Sequence, residues 1–383
     1  MSGKVVLVTQ RNSSSGLPRY LESAFVGHGI PVTIADTHEG ALRHYWSIVS
    51  TATPNRQRWH RRREKYDFYS LAAWDRNTRG NAKLVDAALK GDDRILQIGG
   101  LYYPHSRFRD HEYYLFFTYT MRLALSDGIS PWVVESREAD EFLERERELY
   151  AHARHIFVAA KFVKDHLIAE YGIPEDRITV AGMGVDGFYL DHRPADAPRQ
   201  QSRTALFVGF TWELKGGPTV MRAFAKARKV LPDLQLRVVG PTPRPEMYAA
   251  GVSVLGPVRD RQALLAHYRA ADLFLLPSRC DSFGFVFLEA MSQGVVCIGS
   301  RLNAMPEIIQ EGVTGFIVDP EDDEALARKI VAFYDHQETR ASFGERAIRR
   351  VHDLFTWPRV GGLILAGMGM LPEATHSDMQ SIT

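Results

Sequence analysis

Short apolar runs rich in β-branched residues alternate with helical patterns along the chain, and no other feature limits its fold as strongly. Val5–Val8, Val32–Ala35, Ile95–Ile98, Trp132–Val134, Ile156–Ala159 and Ile178–Ala181 read as strands in the N-terminal half. Ala205–Val208, Leu236–Val239, Leu273–Leu276, Val296–Ile298 and Phe316–Val318 continue the series. These runs are predominantly apolar, as strands covered on both faces are. Between them lie amphipathic patterns such as Leu17–His28, Ala139–Ala153 and Phe162–Tyr171, and the spaced Val220, Phe224, Ala227 and Leu231. Alternation of this kind predicts parallel sheets with helices on both faces. Ligands of such sheets bind beyond the carboxyl ends of the strands.

A chain of 383 residues exceeds one ordinary core, so two domains are expected. The polar, proline-bearing segment 192–203 reads as the linker between them. The expectation is an α/β protein of two Rossmann-like doubly wound domains, 1–191 and 192–354, with a cleft between them. The apolar stretch 355–371 reads as a last helix that completes the first domain, and 372–383 as a frayed polar tail. Lys+Arg 47 against Asp+Glu 46 leaves a net charge of +1, which argues against a nucleic-acid binder and makes any attraction to phosphate local. Two cysteines, Cys280 and Cys297, form neither a disulfide framework nor a zinc motif and suit a reducing, cytoplasmic setting. The N-terminus reads as a first strand rather than a signal peptide, and no apolar run is long enough to span a membrane.

Residues 278–300, SRCDSFGFVFLEAMSQGVVCIGS, concentrate the chemistry. They join two apolar runs through Asp281, a Phe283-Gly284 step and Glu289. Ser282 is suited to cap a helix there, and Gly284 lets a ligand approach the backbone. A helix N-terminus at this point favours phosphate. Carboxylates repel phosphate but accept hydrogen bonds from sugar hydroxyls. Two acids flanking a phosphate site therefore match a polyol at each end of a diphosphate, although a polar loop and a surface glutamate explain the spacing equally well. In FVGFTWELKGG (207–217), Gly209 ends a strand and Lys215 opens a helix, where the dipole disfavours a cation unless an anion joins it. An exposed turn lysine is the plain alternative.

Gly16 follows Ser13–Ser15 in a small-residue loop after the first strand, but GxGxxG is absent, so Asp36 makes a poor dinucleotide-binding acid. His105 and His111 stand among Tyr102, Tyr103, Tyr113, Tyr114 and Tyr119, which suit sugar stacking or, more commonly, a core. Residues 56–65 carry six Lys/Arg with Trp59 and His60. They read as a solvated basic face, with an anionic acceptor or lipid surface as the functional alternative.

Taken together, these stretches resemble the retaining glycosyltransferases of group 1, which carry an E-x7-E motif on two Rossmann-like domains (the GT-B architecture). The resemblance rests on Asp281-Ser282-Phe283-Gly284, on Leu288–Gly294, on AMPEIIQEGVTGFIVDPEDDEALA (304–327), on FVGFTWELKGG, and on residues 150–186. It implies transfer of a hexose from a UDP- or GDP-sugar to a hydroxyl acceptor with retention, without metal or cofactor. It implies that Asp281 touches the donor sugar, that Glu289 holds the ribose, and that backbone N–H groups of Phe283, Gly284 and Phe285 face sugar and phosphate. By the same resemblance Lys215 neutralises the diphosphate, Gly16 lets its loop approach it, and the base lies near Pro257 and Val258. The acceptor, whether small molecule, glycan or lipid, would meet the side of His105, His111 and Tyr119. A peripheral contact with the inner membrane face through 56–65 would suit a lipid acceptor.

Three departures stand out. The first acid is Asp rather than Glu, Phe210 replaces the arginine expected after Gly209, and Phe117-Thr118-Tyr119-Thr120 holds no histidine where the family carries one. A protein of this fold that only binds nucleotide sugar or glycan, and a nucleotide-sugar epimerase, are the competing readings.

Overall fold

A computed structural model describes residues 3–10, 16–37, 48–54, 56–104, 108, 110–127, 136–192, 203–335 and 337–371. The chain divides into two compact units. The first runs to Gly182 and takes back the chain from Trp357; the second runs from Met183 to Thr356.

The first unit holds a parallel six-stranded sheet of β1 (Val5–Gln10), β2 (Val32–Thr37), β3 (Arg94–Ile98), β4 (Tyr113–Phe117), β5 (His155–Val158) and β6 (Ile178–Val180). Their order is β2-β1-β3-β4-β5-β6. Its helices include α1 (Leu17–Gly27), α2 (Arg56–Asp67), α3 (Leu71–Ala88), α4 (Met121–Ser126), α5 (Ser136–His152) and α6 (Lys161–Tyr171). Val5 to Val8 have no exposed surface, which is the reason their run is unbroken by polar residues.

The second unit opens with α7 (Gly187–Asp191) and contains β7 (Thr204–Val208), α8 (Gly217–Ala227), β8 (Gln235–Val239), β9 (Val252–Gly256), α9 (Arg261–Arg269), β10 (Leu273–Leu276) and α10 (Phe285–Ser292). It continues with β11 (Val296–Ser300), α11 (Met305–Ile308), β12 (Gly315–Val318), α12 (Asp323–Asp335) and α13 (Gln337–Leu354). The strand order β12-β11-β10-β7-β8-β9 is the doubly wound arrangement, all parallel. The order reverses between β7 and β10, and such a reversal opens a crevice at the carboxyl ends of those two strands.

The expected linker start at 192 gives way to an earlier boundary. Residues 183–192 bond to the second unit: the Val185 N–H donates to the Phe355 carbonyl at 2.9 Å, and Gln293 Nε2 donates to the Tyr189 carbonyl at 2.8 Å. The final helix α14 (Trp357–Gly367) belongs to the first unit, where Val360, Ile364 and Leu365 are fully buried. Its Gly361 comes so close to α1 that an added Cβ would stand 2.7 Å from the Ala24 Cβ. The strand expected at Trp132–Val134 lies outside the described residues, as does the tail from Pro372.

Two strands carry no clear signal in the sequence. β4 is built from YYLFF, whose five residues are all buried, so the aromatic cluster serves the core. Tyr102 and Tyr103 are likewise buried, which removes them as sugar-stacking rings. β9 alternates partly buried and exposed residues at the sheet edge, and it lacks the continuous apolar run of the inner strands.

Candidate functional site

The switch point of the second sheet is assembled from two loops. The first, Gly209–Gly216, leaves β7; the second, Pro277–Gly284, leaves β10. They are knitted together where the Arg279 N–H donates to the Leu214 carbonyl at 2.7 Å. Backbone proximity makes glycine obligatory at 216. There φ is +77°, and a Cβ would sit 2.0 Å from the Pro277 carbonyl oxygen. Gly284 has φ +85° and starts α10 beneath the Phe287 ring.

Both glycines occupy N-cap positions, and neither α8 nor α10 has a side-chain cap. No acidic residue stands in the first turn of either helix. The positive end of each helix dipole is thus left without a side-chain anion, at the reversal of the sheet. Ser282 does not provide the cap expected of it, because the left-handed Gly284 takes that position.

Lys215 and Asp281 meet here. The Lys215 Nζ donates to Asp281 Oδ2 at 2.5 Å, with the lysine side chain 23% and the aspartate side chain 10% exposed. The Asp281 carbonyl accepts from Asn303 Nδ2 at 2.9 Å, so a third loop, the one following β11, also anchors this residue. Nothing in the local sequence marks Asn303, although its φ of +51° is of the kind asparagine tolerates better than most residues.

Glu289 lies on α10, five residues beyond the N-cap Gly284. Its Oε2 accepts from the Tyr268 hydroxyl of α9 at 2.8 Å. Burial pushes its carboxyl up to about 7, the Asp186 carboxylate adds to the rise, and the Tyr268 hydroxyl and Arg261 oppose it. Asp186 itself is paired with Arg261 at 2.9 Å. A half-buried carboxylate poised near neutrality can accept two hydroxyls of a polyol, which is unlike a solvated surface glutamate.

The remaining expected residues divide. Gly209 donates its N–H to the Val239 carbonyl at 3.0 Å and packs on the Lys215 stem. Pro257 is exposed and Val258 half-buried at the carboxyl end of β9. The Phe283 ring is buried against Phe285 and Phe355, which leaves its backbone as the part able to meet a ligand. Gly16, at φ +67°, is the N-cap of α1 and again lacks a side-chain cap. Arg244 is paired with Glu213 and Arg301 with Asp319. Phe210 is 72% exposed.

In the first unit, Tyr119 follows β4 at its carboxyl end and donates to Asp127 Oδ2 at 3.0 Å. His111 precedes β4 and so lies at the amino-terminal edge of the sheet, next to the Asp93 carbonyl. That places it opposite the ligand-binding edge and removes it from the acceptor side. His105 lies outside the described residues. Sequence reasoning missed Glu146, a fully enclosed carboxylate that accepts from the Met121 N–H and the Tyr150 hydroxyl, each at 2.8 Å, and fixes the turn after β4. Burial pushes its carboxyl upward against those bonds. In α2, Trp59 Nε1 donates to the Ile48 carbonyl, and Arg63 pairs with Asp67 at 3.6 Å, so part of the basic segment is tied to the fold.

Comparison with known proteins gives a consistent picture. Residues 202–336 match the family model "Glycosyl transferases group 1". D-inositol 3-phosphate glycosyltransferase of Corynebacterium glutamicum (strain R) is 30% identical over 236 residues, covering 55% of this chain and 56% of the relative. The enzyme of that name from Pseudarthrobacter chlorophenolicus is 30% identical over 258 residues, 61% of this chain and 60% of the relative. The chain thus spans little more than half the length of the curated relatives it matches. Among solved structures, sucrose-phosphate synthase of Thermosynechococcus elongatus superimposes with a TM-score of 0.66 at 17% identity, over 94% of this chain and 97% of that one. Anabaena HepE, solved with UDP and glucose, gives 0.59 at 14% identity over 96% and 100%. The fold of this chain is GT-B.

Proposed function

From the match of residues 202–336 to the group 1 glycosyltransferase model, we propose that this protein transfers a hexose from a nucleoside diphosphate sugar to a hydroxyl acceptor with retention of configuration. The observation that carries the reading is Lys215 set beside Asp281 at the switch point of the second sheet, where α8 and α10 both begin without a side-chain cap. A leaving diphosphate gathers negative charge, and fixed donors aimed at it lower the barrier. Lys215 and the two helix termini supply that positive field without a metal ion or cofactor. Glu289 takes the ribose hydroxyls, Asp281 the hexose, and backbone N–H groups of Gly284 and Phe285 the phosphate and sugar. The base rests against Pro257 and Val258. UDP rather than GDP is favoured by the likeness to HepE, which was solved with UDP. Retention follows if the acceptor attacks from the face that the diphosphate leaves.

Tyr119, at the carboxyl end of β4, is the residue of the first unit we assign to the acceptor side. Among the described residues no helix is long and apolar enough to cross a membrane. Cys280 and Cys297 are buried thiols that form no disulfide, which fits a reducing cytoplasmic setting. The basic segment 56–65 suits a peripheral contact with an anionic acceptor surface.

The test is release of nucleoside diphosphate from UDP- and GDP-hexoses over a panel of hydroxyl acceptors. Lys215→Ala and Glu289→Ala are each expected to lower turnover at least about a hundredfold, in line with the loss of a preorganised charge donor, and EDTA is expected to leave wild-type turnover unchanged. Turnover retained in both variants would remove the site assignment. The exposed Phe210, standing where the family resemblance leads one to expect an arginine, favours a second reading as a binding protein without transferase activity. Tight donor binding with no transfer to any acceptor would select it.

A further inference from the structure

The cation that should receive the diphosphate is already engaged. Lys215 Nζ lies 2.5 Å from Asp281 Oδ2, and both side chains are largely screened from water. A phosphate oxygen arriving at Lys215 meets a charge pair whose sum is zero, with a carboxylate that repels it. Asp281 is held from behind, since Asn303 bonds its carbonyl and the loop beneath it is pinned by Arg279 to Leu214. Lys215, by contrast, follows Gly209 across a turn and has an unbranched stem able to swing. The lysine therefore has two partners to choose from: the aspartate, or a phosphate beneath the α8 and α10 termini.

We propose that Asp281 is an internal competitor for Lys215, which makes tight binding of the nucleotide conditional on the hexose. The inference rests on the donor reading given above. When a complete nucleotide sugar enters, hexose hydroxyls donate to Asp281 and replace the lysine it loses, so Lys215 is released to the diphosphate. A nucleoside diphosphate alone offers Asp281 no donor. It must either leave the carboxylate unpaired and part-buried or bind without the lysine, and each option is costly. After transfer the hexose departs, Asp281 reclaims Lys215, and the product diphosphate loses its cation. The pair thus discriminates between substrate and product, which share the nucleotide and both phosphates.

The experiment is calorimetric titration of UDP and of GDP into wild type, Asp281→Asn, Lys215→Met and the double variant, with melting curves showing that each is folded. Asp281→Asn is expected to tighten diphosphate binding about tenfold or more, since one charge-assisted hydrogen bond no longer has to be broken. In the Lys215→Met background the same change is expected to tighten binding by less than about threefold, the residue of simple charge removal once competition is gone. Nucleotide binding by wild type with no tightening in Asp281→Asn, or equal tightening in both backgrounds, overturns the competitor role alone. Should Asp281→Asn fail to fold, Asp281→Ser carries the same expectation. Wild type that takes up neither nucleotide, with or without the sugar attached, overturns the donor reading and this inference with it.

Discussion

At the scale of single residues, Glu289 is the group whose chemistry departs furthest from what its sequence position announces. Its place eight residues after Asp281 is visible in the sequence, but its charge state is not, because that depends on Tyr268, Asp186 and Arg261 brought in by folding. A carboxyl raised to about 7 keeps in the fold a proton that the unfolded chain releases near the ordinary glutamate value of 4.5. The unfolded state therefore binds fewer protons across that window, and this group's contribution to stability falls as pH rises from about 4.5 to 7, then levels off. Donor binding runs the other way, since only the carboxylate can accept two ribose hydroxyls. We expect the donor Kd to weaken about tenfold for each pH unit below 7, in proportion to the ionised fraction. Tyr268→Phe removes a bond that holds the value down, so the break in a plot of log Kd against pH should move to higher pH. A donor affinity flat from pH 5.5 to 8 in wild type would mean that Glu289 does not hold the ribose.

Elements decide which parts of the site a reader of the sequence could find. The inner strands were legible because burial on both faces favours long apolar runs, as Val5–Val8 of β1, Ala205–Val208 of β7 and all of β10 illustrate. β4 was hidden by its aromatic composition, and with it the fact that His111 precedes a strand while Tyr119 follows one. Loop glycines were legible as breaks, yet their separate tasks were not. At Gly216 a Cβ would strike backbone that cannot yield, the Pro277 carbonyl at 2.0 Å, with φ at +77°. At Gly209 it would meet the Lys215 Cγ at 3.1 Å, the middle of a flexible side chain, with no positive φ to strain. Gly216→Ala should therefore cost roughly 3 kcal/mol or more of stability through overpacking and backbone strain, readable as a lower urea midpoint. Gly209→Ala should leave the unfolding free energy within about 1 kcal/mol of wild type while reducing donor affinity, because the displaced side chain is Lys215. Equal loss of stability in both variants would show that the loop after β7 is a purely structural turn.

For the whole molecule, the course of the chain has a consequence that neither sheet shows alone. The polypeptide completes its first unit only after finishing its second, since α14 returns to pack on α1. The apolar run at 355–371 announces a buried segment but not its partner; Gly361 reveals it, by permitting the approach to Ala24. Trp357, Val360, Ile364 and Leu365 are each at least nine-tenths buried there. At about 1.5–3 kcal/mol for each large apolar side chain, their removal approaches the entire stability of an ordinary domain. A fragment of residues 1–182 should accordingly fail to fold, with little near-ultraviolet dichroism and non-cooperative urea unfolding. Residues 183–356 hold a complete doubly wound sheet, both helix termini, Lys215, Asp281 and Glu289. That fragment should fold by itself, bind UDP within about tenfold of the full chain, and transfer no sugar. Cooperative unfolding of the 1–182 fragment would show that α14 is dispensable to the first unit. A well-folded 183–356 fragment unable to bind UDP would show instead that the donor site needs residues from beyond its own sheet.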